Sequence, residues 1–146
     1  QGGAAVQDEQ AVKELLDKYG VGDHVVFPGW VRGEEKDRLL RKSDVFFLPS
    51  YNEGMPMSVL DAMGYGLPIV STNVGGIPKI VHDGVNGFCC EAGDTKKMAE
   101  GITELLVSLN TAHELGIESM NIVKNRYSLE KHIELIMKTY RLILNR

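Results

Sequence analysis

Long apolar runs are missing from this chain of 146 residues. The longest stop far short of the roughly 20 residues that cross a bilayer as a helix. No secretory hydrophobic region opens the sequence either, so neither a membrane span nor a secretory leader is expected. Cysteine is scarce, and the two present, Cys89 and Cys90, are neighbours. In a strand they would point to opposite faces and could not staple the fold. They read as two reduced, partly buried thiols of a cytosolic protein, and with no further ligands at motif spacing no metal is expected. An excess of positive charge is absent too. The net charge of −4 argues against a nucleic acid or an anionic membrane face as the main partner. Histidine offers little: His24, His113 and His132 stand in no partner pattern, and His82 reads as a turn residue bonded to its local backbone.

What is present is ordinary for a globular chain, with 43% hydrophobic and 25% charged residues in a length that makes one domain with a real core. Residues 1–7 are small and polar and read as a disordered or non-native terminus, leaving 8–146 as the folded part. Asp8 to Tyr19 places Ala11, Val12, Leu15, Leu16 and Tyr19 on one helical face, with Gly20 as the stop. Val25-Val26-Phe27 reads as a strand ending at Pro28-Gly29, and Gly33 to Lys42 as a helix whose charges form a solvated face. Val45-Phe46-Phe47-Leu48 is a short buried strand ending in Pro49. Further strands are expected at 68–72 and 87–90, about four in all. Asp94 to Leu109 and Thr111 to Arg126 follow as helices, with Asp94 or Thr95 capping the first. Ser128 caps a last helix with Leu129, Ile133, Ile136, Met137, Tyr140, Ile143 and Leu144 on one side.

The organising stretch runs from Pro49 to Pro68. A strand ends at Pro49, a loop carries Glu53 and Gly54, and a short helix follows in which Val59, Leu60 and Met63 have helical spacing. Pro56 suits a first helical turn, and Gly64, Gly66 and Pro68 close the helix. In an open parallel α/β sheet ligands bind at the carboxyl ends of strands, and a helix amino terminus there offers free N–H groups and partial positive charge. That is a seat for phosphate. Glu53 lies in the loop and Asp61 eight positions on, and two carboxylates suit the hydroxyls of a sugar or a ribose. The pair Gly75-Gly76 follows the next strand, where glycines let backbone approach a ligand or make a tight turn.

The run from Glu53 to Met63, then Gly66-Leu67-Pro68-Ile69-Val70, then Gly75-Gly76, resembles the donor-binding half of retaining GT-B glycosyltransferases of the family 4 type. The likeness extends from about Val25 to the end of the chain. It implies a Rossmann-like parallel sheet with flanking helices, the carboxyl-terminal lobe of a GT-B fold, here without its first strand or strands. A further implication is transfer of a sugar from a UDP-, GDP- or ADP-linked donor to an acceptor hydroxyl with retention. Polysaccharide or glycoconjugate synthesis is the implied setting, in the cytoplasm and, for the full enzyme, peripherally at the inner membrane face. No cofactor beyond the substrate is implied.

Carried onto this chain, the family pattern makes Glu53 the catalytic residue holding the sugar hydroxyls and Asp61 the ribose ligand. Gly54, Met55, Pro56, Met57 and Ser58 become the diphosphate and sugar loop. Gly29, Trp30, Val31 and Arg32 fall to the base site, and Gly75 and Gly76 to a second cleft loop. Three departures stand out: Asp61 replaces a longer glutamate, Lys79 stands where the family carries an acid, and the basic pair expected upstream has no match. With the acceptor-binding amino-terminal domain also unmatched, the isolated chain is expected to be inactive. A non-catalytic nucleotide-sugar binding module and a GT-B sugar epimerase are the alternatives. A flavodoxin-like signalling domain is disfavoured because the strand ends carry Pro49-Ser50 and Thr72-Asn73 in place of an acidic cluster.

Overall fold

The computed structural model describes residues 3–144. Of the expected disordered terminus, Gln1 and Gly2 lie outside the described residues. The chain divides into two compact units, Gln1–Glu35 and Lys36–Arg146.

In the first unit, helix α1 spans Gly3–Tyr19. It ends at Gly20, whose φ of 66° is open to glycine without strain. There the Val21 N–H donates to the Leu16 carbonyl at 3.0 Å and the Gly20 N–H to that of Asp17 at 3.1 Å, the paired bonds of a Schellman stop. A 3₁₀ turn over Gly22–His24 follows. The strand expected at Val25-Val26-Phe27 does not form. Val25 has extended torsions and its N–H donates to the Gly22 carbonyl at 3.1 Å, but among the described residues no strand pairs with this segment, and all three side chains are exposed. A strand without a ladder partner leaves its backbone groups to water, and extended local propensity cannot replace that partner.

Helix α2 spans Gly33–Lys42. The second unit is then built on a three-stranded parallel sheet, β1 (Phe46–Leu48), β2 (Ile69–Thr72) and β3 (Gly87–Cys90), in the order β1-β2-β3. Phe46 pairs with Ile69, and Ile69 with Gly87. The central strand β2 is buried along its whole length, as a parallel strand covered on both faces should be.

Side-chain alternation splits the core in two. Phe46, Leu48, Ile69 and Cys89 pack with Val59, Ala62 and Met63 of helix α3 (Met57–Gly64) and with Val123 and Tyr127 of the π turn Val123–Tyr127. On the opposite face Val45, Val70, Phe88 and Cys90 pack with Met98 and Leu105 of helix α4 (Thr95–Val107) and Leu115 of helix α5 (Leu109–Ile122). The adjacent cysteines therefore point to opposite faces, as expected, and neither is in a disulfide. Each fully buried Val or Ile here stabilises the fold by about 1.5–3 kcal/mol relative to exposure.

Helices α4 and α5 are capped by side chains. Asp94 accepts from the Lys97 N–H at 3.0 Å and Ser108 from that of Thr111 at 3.4 Å. Ser108 moves the start of α5 ahead of the expected Thr111. Ser128 caps helix α6 (Leu129–Leu144) by accepting from the Lys131 N–H at 3.3 Å. The apolar face expected for α6 is present, and Leu129, Ile133, Ile136, Met137, Tyr140, Ile143 and Leu144 are all exposed on it. Among the described residues no helix is long and apolar enough to cross a membrane.

Candidate functional site

The site is built where β1 ends. Buried Ser71 and Thr72 of β2 pin that end: Ser71 Oγ donates to the Leu48 carbonyl at 2.8 Å and Thr72 Oγ1 to the Ser50 carbonyl at 2.5 Å. With its backbone held, Ser50 donates its hydroxyl to Glu53 Oε1 at 2.7 Å. The carboxylate of a loop residue is thus fixed through two hydrogen bonds to a buried strand. Charge-assisted bonds of this kind are among the stronger ones available to a carboxylate.

The loop then enters α3. Pro56 occupies the cap position just ahead of the helix, at φ −73° and ψ 104°, and no side chain caps the first turn. Sequence spacing would have put Pro56 inside the first turn; it stands one step earlier. The Val59 and Leu60 N–H groups reach back to the Pro56 carbonyl at 3.1 and 3.4 Å. Those of Met57 and Ser58 precede any intrahelical partner, so the partial positive charge of the terminus is uncovered. Met57 and Ser58 are themselves exposed.

The second loop lies against the first. The Gly76 N–H donates to the Gly54 carbonyl at 2.7 Å. A Cβ on Gly75 would fall 1.6 Å from the Glu53 carbonyl oxygen, and one on Gly76 would fall 2.1 Å from that of Gly54. Gly75 also has a φ of 54°. Both glycines serve a close approach of backbone to backbone, and Glu53 and Gly54 are the partners. Of the two uses read from the sequence the tight turn forms, with the Ile77 N–H donating to the Val74 carbonyl at 3.1 Å across Gly75-Gly76.

Asp61 sits one turn into α3 and is half-buried. Its Oδ2 accepts from Lys36 Nζ at 3.0 Å. One residue along, Asp37 Oδ1 accepts from Tyr65 Oη at 2.5 Å, and the Arg41 guanidinium lies 5.1 Å from the Tyr65 ring centre. The Asp61 bond and its charge hold Lys36 above its ordinary pKa, while the bond to Asp37 and then burial raise that of Tyr65. The charged face of α2, read from sequence as solvated, therefore joins α2 to α3. Charge patterning within one helix could not show this, because the partners lie 25 and 28 positions downstream. Ser50, Thr72 and Lys36 were passed over for the same reason; only the position of Ser50 right after Pro49 at a strand end offered a signal.

Gly29, Trp30, Val31 and Arg32 belong to the first unit. Trp30 is 91% exposed, with the Arg32 guanidinium 5.8 Å from its ring centre. The His82 N–H donates to Asn86 Oδ1 at 2.7 Å, and its carbonyl accepts from the Val85 and Asn86 N–H groups, a turn of the kind read from sequence. Lys79 is exposed, and its carbonyl accepts from Tyr127 Oη at 3.2 Å. Among the described residues no three His, Cys, Asp or Glu side chains cluster as metal ligands would.

Comparison with known proteins places this geometry in context. The family model described as glycosyl transferases group 1 matches residues 3–121. The chain is 31% identical over 120 residues to N-acetyl-alpha-D-glucosaminyl L-malate synthase of Bacillus anthracis, covering 82% of this chain and 31% of that protein. Its fold is similar to that of sucrose-phosphate synthase from Thermosynechococcus elongatus, with a TM-score of 0.85 at 24% identity over 95% of this chain and 35% of the other. It is also similar to that of Anabaena HepE, solved in complexes with UDP and with UDP-glucose. The UDP complex gives a TM-score of 0.86 at 21% identity, over 94% of this chain and 38% of HepE. The chain thus spans about a third of the length of these proteins.

Proposed function

The chain belongs to the glycosyl transferases group 1 family, and from that premise we propose that it is the donor-binding lobe of a retaining glycosyltransferase. The observation that carries this reading is the uncapped amino terminus of α3. It stands directly beyond the end of β1, flanked by a fixed Glu53 and backed by the Gly75-Gly76 loop.

The costly event in such a transfer is departure of the nucleoside diphosphate. Negative charge grows on the β-phosphate as the bond from the anomeric carbon to oxygen breaks. Fixed N–H groups of Met55, Met57 and Ser58, with Gly54 lending room and the dipole of α3 behind them, stabilise that charge more in the transition state than in the ground state. Each such donor typically contributes on the order of 3 kcal/mol. Pro56 supplies no N–H, so the loop carries one donor fewer than a glycine would give. Glu53, oriented by Ser50, holds the sugar hydroxyls, and Asp61 receives the ribose. The base is assigned to Gly29, Trp30, Val31 and Arg32, where the exposed indole offers a stacking surface.

Retention is assigned to a front-face route, in which the departing phosphate takes the proton of the attacking acceptor hydroxyl. A double displacement would need a second carboxylate near Glu53 as nucleophile, and none is identified. No metal is required in this scheme. The acceptor would be bound by sequence outside this chain, which by itself is inactive in transfer. Polysaccharide or glycoconjugate synthesis at the cytoplasmic face is the proposed setting. HepE was solved with UDP and UDP-glucose, which makes a uridine donor the first candidate.

A binding module without turnover is the second reading, favoured by the departures from the family pattern at Asp61 and Lys79. Calorimetric titration with UDP, GDP, ADP and their hexose conjugates tests the first. One nucleotide binding at high-micromolar to millimolar Kd, with extra affinity for its sugar conjugate that Glu53→Ala removes, supports a donor lobe. Binding that neither Glu53→Ala nor Asp61→Ala alters would overturn it. Turnover by the natural full-length polypeptide separates the enzyme from the module.

A further inference from the structure

The salt bridge between α2 and α3 joins a residue with an assigned role to one without. We propose that Lys36 is a ribose-recognition residue: its ammonium donates to one hydroxyl of the donor ribose while Asp61 accepts from the other. This rests on the donor-lobe reading.

The chemistry of the pair carries the inference. Lys36 Nζ lies 3.0 Å from Asp61 Oδ2, and the side chains are 42% and 43% exposed, so a ligand can reach both. An exposed pair of this kind adds little to folding stability. An ammonium has three N–H donors and a carboxylate about four lone-pair sites, so the mutual bond leaves capacity on each. Each hydroxyl of a vicinal diol can donate and accept. A lone carboxylate can only accept, and an aspartate must do so with one methylene less reach than a glutamate. A carboxylate beside an ammonium presents an acceptor and a donor together, which complements both hydroxyls.

Placement supports the same conclusion. Asp37, next to Lys36, is bonded to Tyr65, and the Arg41 guanidinium lies over that ring, so the turn of α2 that bears Lys36 is tied to the residue that closes the helix bearing Asp61. The ammonium is thereby positioned before any ligand arrives, which lowers the ordering cost of binding. The bond to Asp61 and its charge favour the ammonium form.

The test is a cycle of variant and ligand, measured by calorimetry. UDP, GDP and ADP, each with its 2′,3′-dideoxy analogue, are titrated into the wild-type chain, Lys36→Met, Lys36→Arg and Asp61→Asn. For whichever nucleotide binds, Lys36→Met is expected to weaken the ribonucleotide by about tenfold or more, the scale of one hydrogen bond to a charged group. The dideoxy analogue should move by less than about twofold, and Lys36→Arg should restore most of the loss. A merely structural bridge would weaken both ligands alike. Equal weakening, or no weakening, overturns the role of Lys36. If Asp61→Asn still weakens the ribonucleotide selectively in that case, the donor-lobe reading survives. If no nucleotide binds the wild-type chain, that reading falls and the role of Lys36 falls with it.

Discussion

Glu53 takes its orientation from the Ser50 hydroxyl, and its backbone has room because Gly75 carries no Cβ. The Gly75 site is the more demanding. An added Cβ would overlap the Glu53 carbonyl oxygen at 1.6 Å, and a φ of 54° is strained for alanine. Gly75→Ala is expected to lower unfolding stability by about 2–3 kcal/mol, measured by urea denaturation, and to weaken nucleotide binding as the first loop is displaced. Wild-type stability in this variant would mean that the two loops do not touch. At this scale the sequence was informative wherever a residue's role is local. Gly20 as helix stop, Ser128 as cap and His82 in its own turn are as read, and of Asp94 and Thr95 it is Asp94 that caps. Lys36, Ser50 and Thr72 act through partners brought near only by folding, and no spacing rule reaches them.

Among the elements, α3 carries the most function for its length. Its amino terminus is free because Pro56 has no side chain able to cap it. Met57 is exposed, and Pro56 already has the extended torsions that a following proline requires. Met57→Pro should therefore fold normally, since proline is tolerated at the first helical position, while deleting one N–H from the phosphate seat. Expected is an unchanged thermal midpoint with a loss of about tenfold or more in nucleoside diphosphate affinity by calorimetry. Unchanged affinity would remove the Met57 N–H from the site. The elements β1, β2, β3 and α4 were legible because apolar runs and caps mark them. The strand expected at 25–27 was not, because a strand exists only with a neighbour to pair with, and hydrophobic pattern does not supply one.

For the whole molecule, five described groups have their pKa values raised in the fold. Burial first, then the charge of Asp83, raises Cys89; burial is also the main cause for Cys90. Hydrogen bonding to Asp37 raises Tyr65, hydrogen bonding to Asp61 raises Lys36, and hydrogen bonding to Glu134 raises Lys131. A group whose folded pKa lies above its unfolded value favours folding fully below the unfolded value, and that contribution is lost as pH rises through the folded one. All five contributions thus decline on the alkaline side. The urea midpoint is expected to hold steady from pH 6 to about 8 and then to fall above roughly pH 8.5, where free thiols begin to ionise. A midpoint that rises over that range would contradict the burial of the thiols. The same burial should make both react with iodoacetamide about tenfold more slowly than free cysteine at pH 8.

The family of the whole molecule was legible before its fold, from the run between Glu53 and Gly76, because loop chemistry is written in consecutive residues. Bridges between helices are not.

Most direct for the donor-lobe claim is an amide chemical-shift map of the chain titrated with UDP, repeated with GDP and ADP. Shifts concentrated at Gly54, Met55, Met57, Ser58 and Asp61, and at the abutting Gly75-Gly76, are predicted for one of the three. Shifts that bypass the start of α3, or none with any nucleotide, would contradict it.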